Sequence, residues 1–228
     1  MTMPFYVPPE QVMKDRADYA RKGIARGRSL IAMSAADGIV MVAENQSRTL
    51  YKISEIYDRI AFAGVGKYNE FEMLRIAGVR QADVKGYSFA REDVNARSLA
   101  NAYAQTLGQV FTHELKPYEV EILVAQVGAT ADEDEMFVIL YDGVVMDKAG
   151  FTVLGGQADA VATVLEERYE SGLDLGAALR LGASVLAGSD GSALPAEQLE
   201  VAVLDRTRPR RAFRRIKAEE LRGLLAAS

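Results

Sequence analysis

The chain has 228 residues, 49% hydrophobic and 26% charged, with a net charge of −5. That length can bury a substantial core as one domain, and the acidic balance argues against a nucleic-acid binder, which carries a basic face. With no cysteine and one histidine, His113, disulfides, thiolate chemistry, Cys-ligated metals and a His-rich metal site are excluded, and no cofactor is expected.

Absence of cysteine suits a reducing cytoplasm. The N-terminus lacks the basic-then-apolar pattern of a secretory signal. No stretch approaches the ~20 uninterrupted apolar residues of a membrane span, so a cytoplasmic location with no membrane partner is expected.

Residues 1–9 form an arm with no charged side chain, carrying Pro4, Pro8, Pro9, Phe5 and Tyr6. Proline fits a first helical turn, and Val12, Met13, Ala17, Ala20 and Ile24 recur at helical spacing, so residues 10–27 read as a helix. Two apolar runs, Ser29–Ser34 and Ile39–Glu44, flank Asp37-Gly38, a hairpin signal. Further strands are expected at Leu50–Ser54 and Arg59–Val65. Helices follow from Tyr68 to about Ala82 and from Arg91 to Leu115. Strands return at Val120–Val127, Met136–Tyr141, Val144–Met146 and Phe151–Leu154. Helices at Asp159–Tyr169 and Leu173–Ala187 lead through a Gly/Ser-rich loop to strands Leu199–Asp205 and Ala212–Ile216 and a last helix. Strands and helices come in groups, which predicts α+β architecture: two stacked antiparallel sheets with helices outside.

Several motifs are weighed for chemistry. Ala61-Phe-Ala-Gly-Val-Gly66-Lys67-Tyr68 lacks the first glycine and the Ser or Thr of a phosphate loop, so it reads as a strand-to-helix turn. Gly155-Gly156 precedes a helix, where anions can bind, and equally suits a plain turn. Asp132-Glu-Asp-Glu135 lacks the spacing of a calcium loop and reads as a solvated hairpin loop. His113 reads as helix-end decoration. The arginines from Arg206 to Arg215 read as charge on an edge strand. Lys52, inside a predicted strand between Tyr51 and Ile53, reads on chemistry alone as solvent-facing.

Several stretches together carry a resemblance: Asp18-Tyr-Ala-Arg-Lys-Gly-Ile-Ala-Arg26, Lys52-Ile-Ser-Glu-Ile-Tyr-Asp-Arg59, Ala61–Phe71, Ala102–Gly108, Lys116-Pro-Tyr-Glu-Val-Glu121, Leu199–Asp205 and Arg208–Ile216. Over nearly its whole length the chain resembles the actinobacterial proteasome α subunits. The resemblance implies a four-layer αββα sandwich, the N-terminal-nucleophile hydrolase fold, preceded by an outer helix (10–27) and spanning 29–228. It also implies a homo-heptameric α ring capping rings of catalytic β subunits. Implied partners are a ring-shaped AAA ATPase or other activator, docking by its C-terminal tail, and unfolded protein in transit.

By the same resemblance Lys52 pairs with the activator's terminal carboxylate, with Gly27 and Arg21 beside it in the pocket. The loop Thr112–Pro117, with His113, Glu114 and Leu115, narrows the entrance. Met1, Thr2, Met3, Pro4, Phe5, Tyr6, Val7 and Pro8 form the gate, whose apolar side chains would pack on one axis. The family's Tyr-Asp-Arg and Pro-x-Gly motifs are replaced here by Tyr6-Val-Pro-Pro-Glu-Gln, so their open-gate geometry does not transfer.

The family's nucleophile is a threonine that begins the mature β chain at its first strand, its own α-amine acting as base. Here a helix precedes that strand and no Gly-Thr-Thr junction exists, so no catalytic residue is expected. Two alternatives remain: a catalytic threonine-type peptidase subunit of the same fold, and a small-molecule binder using Gly155-Gly156.

Overall fold

The computed structural model describes residues 8–47, 49–187 and 194–226. One five-stranded antiparallel sheet is built from β1 (Leu30–Ala35), β2 (Gly38–Glu44), β8 (Phe151–Leu154), β9 (Leu199–Asp205) and β10 (Phe213–Ile216), in the order β10-β9-β2-β1-β8. The other runs β3-β4-β5-β6-β7, from β3 (Ile53–Tyr57), β4 (Ile60–Gly66), β5 (Val120–Gln126), β6 (Glu135–Ile139) and β7 (Val145–Lys148). The Ala36-Asp37 turn joins β1 to β2, with Ala35 opposite Gly38.

Apolar residues alternate between two different cores. From β1, Leu30 and Ala32 join β4, β5 and β9 residues between the sheets, while Ile31 and Met33 face the helices. A strand covered on both faces therefore reads as one continuous apolar run. Helices α4 (Ala158–Arg168), α5 (Leu175–Leu186) and α6 (Ala218–Ala226) cover the first sheet. Helices α2 (Tyr68–Ser88) and α3 (Ala96–His113) cover the second. The result is the expected four-layer αββα sandwich, with α1 (Pro9–Ala25) lying against β4 and β5 outside the layers.

Several boundaries differ from expectation. Pro9, counted with the arm by sequence, opens α1, with Pro8 as its N-cap. The single helix expected over Arg91–Leu115 is a 3-10 turn, Arg91–Asp93, then α3, because the Asn95 side chain accepts from Ser98 N (2.9 Å) and caps a new start. Helix α2 runs six residues past Ala82, to Ser88. Strand β3 starts at Ile53 rather than Leu50, which leaves Lys52 on the approach to the strand.

Two readings of charge are corrected. Asp134, expected in a solvated loop, has a side chain only 2% exposed and pairs with Arg206. β10 is an edge strand as read, but the arginines on it and just before it are engaged: Arg211 with Glu55, Arg214 with Glu220 and Arg215 with Glu200.

Candidate functional site

One end of the sandwich gathers the start of β1, the start of β3, the β4–α2 turn at Gly66 and the β8–α4 turn at Gly155. Helix α1 crosses this end. Its C-terminal turn closes with Gly27 N bonding Ile24 O at 2.8 Å. A Cβ on Gly27 would stand 2.6 Å from Val65 Cγ1, so only glycine lets the helix end lie this close to β4. Gly156 N then bonds Gly27 O at 3.2 Å, and Gly155 takes a φ of +106° to make that approach. The pair flagged as a possible anion site is a packed turn against the α1–β1 linker.

Lys52 joins this linker. Its Nζ donates to Arg28 O at 2.8 Å, and its backbone N–H donates to Glu200 Oε2 at 2.8 Å. Glu200 is buried and also receives Ile53 N (3.0 Å), Asn45 Nδ2 (2.7 Å) and Arg215 Nη1 (2.6 Å). That carboxylate locks the β3 approach from β9, so the Lys52 backbone is held while its ammonium points at the linker. The solvent-facing reading of Lys52 is therefore corrected: it is half-buried. Burial pulls the Lys52 ammonium down to about 8; Glu200 opposes the fall and Arg28 adds to it. A cleft of about 610 Å³ opens beside the linker, lined among others by Gly27, Arg28, Glu44, Gly156 and Val164. Arg28 pairs with Glu44 across its rim.

A second carboxyl sits at the same end. Glu121 Oε2 accepts from Gly155 N at 3.2 Å, and burial pushes the carboxyl up to about 7 against that hydrogen bond and Lys148. Neither Glu121 nor Glu200 was singled out from sequence. The available signal was a lone acid inside an apolar strand, at Leu199-Glu200-Val201 and at Val120-Glu121-Ile122.

Among the predicted site residues, Gly27 and Lys52 meet through the Arg28 linker. Arg21 does not join them within the chain; its guanidinium lies 5.8 Å from the Tyr141 ring centre and 3.7 Å from Asp18. His113 belongs to the last turn of α3 rather than to a loop, its Nδ1 lying 3.2 Å from Gln109 O. Glu114 caps that helix and Leu115 is fully exposed after it. Met1–Val7, the gate residues other than Pro8, lie outside the described residues.

Catalysis by an N-terminal nucleophile needs a free α-amine at the start of β1. In this fold α1 runs through Arg26–Ser29 into that strand, so the amine of Ser29 is a peptide nitrogen. A proteasome-subunit family model matches residues 24–204, most of the sandwich. The chain belongs to the proteasome subunit family. Among similar family members, the proteasome subunit alpha of Sanguibacter keddieii is 64% identical, over all of this chain and 91% of that protein. Those of Kineococcus radiotolerans and Thermomonospora curvata are 59% and 60% identical, covering 100% and 99% of both chains. Among the described residues of this family member, no helix is long and apolar enough to cross a membrane.

Proposed function

We propose that this chain is a non-catalytic α subunit of a bacterial proteasome core, where it forms the outer rings, gates entry and docks activators. The observation that carries the reading is α1 continuing into β1, which removes the amine that family chemistry uses as base. Intact-mass and N-terminal analysis of the chain in a core assembled with its β partner tests it. A chain retaining α1 is expected; a chain cut before Ser29 overturns it in favour of the catalytic alternative.

Activator docking is assigned to the Lys52 end. A half-buried ammonium bonded to the linker that lines the cleft, with its backbone N–H held by Glu200, is suited to receive a terminal carboxylate. Arg21, which pairs with Asp18 and lies by Tyr141 in its own chain, is assigned to the pocket from a neighbouring copy in the ring. A Lys52→Ala core is expected to retain basal peptide hydrolysis and to lose most stimulation by an ATPase activator. Full stimulation would remove Lys52 from the pocket. The segment Thr112–Pro117 is assigned to the axial entrance and residues 1–8 to the gate, with unfolded polypeptide as the transported class.

A further inference from the structure

Helix α3 ends on Glu114 as its C-cap, with no glycine to close its last turn. The last carbonyls of a helix have no intrahelical donor and are commonly closed by a glycine in the left-handed region. Here Glu114-Leu115-Lys116-Pro117 follows, and among the described residues no non-glycine has a positive φ. Thr112 Oγ1 donates to Gly108 O (2.7 Å) and Glu114 N to Val110 O (3.1 Å).

Two of the remaining carbonyls are served from another element. Arg16 of α1 donates through Nη1 to Phe111 O and through Nη2 to Glu114 O. A planar guanidinium reaches both carbonyls at once and sets a cation at the negative end of α3. The contact is flanked on both sides. Ala17, Ala20 and Ile24 of α1 pack with Phe111 and Tyr141. Lys116 Nζ, bonded to Glu70 (2.7 Å) and Glu119 (2.9 Å), lies 5.5 Å from the Tyr19 ring centre. Leu115, between these anchors, is fully exposed.

We propose that Arg16 is the positioning residue of the entrance segment: its fork ties α1 to the end of α3, so that a displacement of α1 re-aims Leu115. This rests on the assignment of Thr112–Pro117 to the entrance. Helix α1 begins at Pro9, passes Arg16 and ends at Ala25, two residues before Gly27 in the linker that Lys52 joins through Arg28 O. Arg16 and Ala25 are nine residues apart on this helix, roughly 14 Å at the helical rise. One rigid element therefore touches the arm, the entrance and the docking end.

The test uses the core assembled with its β partner, as wild type, Arg16→Ala and Arg16→Lys. Amide exchange over residues 112–117 is read alongside hydrolysis of an unfolded protein relative to a short fluorogenic peptide. In Arg16→Ala, exchange there is expected to rise about tenfold while β4 and β5 stay protected. The unfolded-protein-to-peptide ratio is expected to change by about threefold. Arg16→Lys, which keeps the charge but not the fork, should recover only part of both effects. Unchanged exchange overturns the tie, and so does a loss of protection that spreads through β4 and β5. Faster local exchange with an unchanged ratio would leave the tie standing but overturn the entrance assignment and, with it, the positioning role. If Arg16→Ala does not assemble, Arg16→Lys is judged by the same criteria.

Discussion

Arg206 sits at the end of the sandwich opposite Lys52 and holds the two sheets to each other. It reaches Ala35 O and Ala36 O at the end of β1 on one side, and Gly128 O, Thr130 O and both Asp134 oxygens on the other. Ser34 Oγ donates to the same carboxylate. Removing one partner of a buried pair strands the other charge, so Arg206→Ala should cost about 3–5 kcal/mol in denaturant unfolding. Glu121 and Lys52 give opposite pH signatures. Glu121 binds its proton more tightly folded than unfolded, so stability falls as pH rises from 4.5 to about 7. Glu121→Gln should flatten that slope and raise the melting temperature above pH 7 relative to wild type, by the equivalent of roughly 1–3 kcal/mol. Lys52 binds its proton less tightly folded, so its contribution to stability rises with pH between about 8 and 10.5. The proposed docking role puts the ammonium against the carboxylate, so on that proposal activator stimulation should decline as pH passes about 8, measured against activator-free hydrolysis at each pH. None of these roles was legible in residue type alone. Asp134 sits in an acidic run that looks solvated, and Lys52 in an alternation that points it outward; both are enclosed by parts of the chain far away in sequence.

At the scale of elements, period and cap signals carried most of the assignment. The Asp37-Gly38 hairpin, the Gly66 turn and the α4–α5 pair are where local chemistry puts them. The largest miss was the break before α3. Val94 and Leu99 both face the same core, so their apolar spacing continues through a non-helical residue. The break is made by Asn95, extended at φ −136° and ψ 157°, with Asp93 Oδ2 accepting from Ala90 N at 3.1 Å. Asn95→Ala should cost about 1 kcal/mol, read as a shift in the urea midpoint with an unchanged slope. The shifted start of β3 has a tertiary cause as well: Glu200 of β9 takes the backbone N–H groups of Lys52 and Ile53, so strand pairing with β4 is registered from Ile53 onward.

On the scale of the whole molecule, the sandwich is well buried, yet α2 shows Met73, Val84 and Tyr87, and Phe89 follows it exposed. The first turns of α1 also stand clear of the body, with Val12 and Met13 uncovered. Apolar surface of this kind is usual for a chain that works among other subunits. Deleting residues 1–8 should raise short-peptide hydrolysis by the assembled core several-fold without changing hydrolysis by a core already opened by its activator; no rise would contradict a gating arm. The sequence by itself determined the layer order, the absence of thiol and multi-histidine chemistry, and the helix placed ahead of β1, because these follow from local periodicity, turn chemistry and composition. Tertiary structure alone decided which charges are enclosed and what each one holds. The Glu200 brace behind Lys52, the buried Glu121, the Arg206 clamp and the Arg16 fork all join residues from separate elements. Their worth depends on exclusion from water, which no single segment can specify.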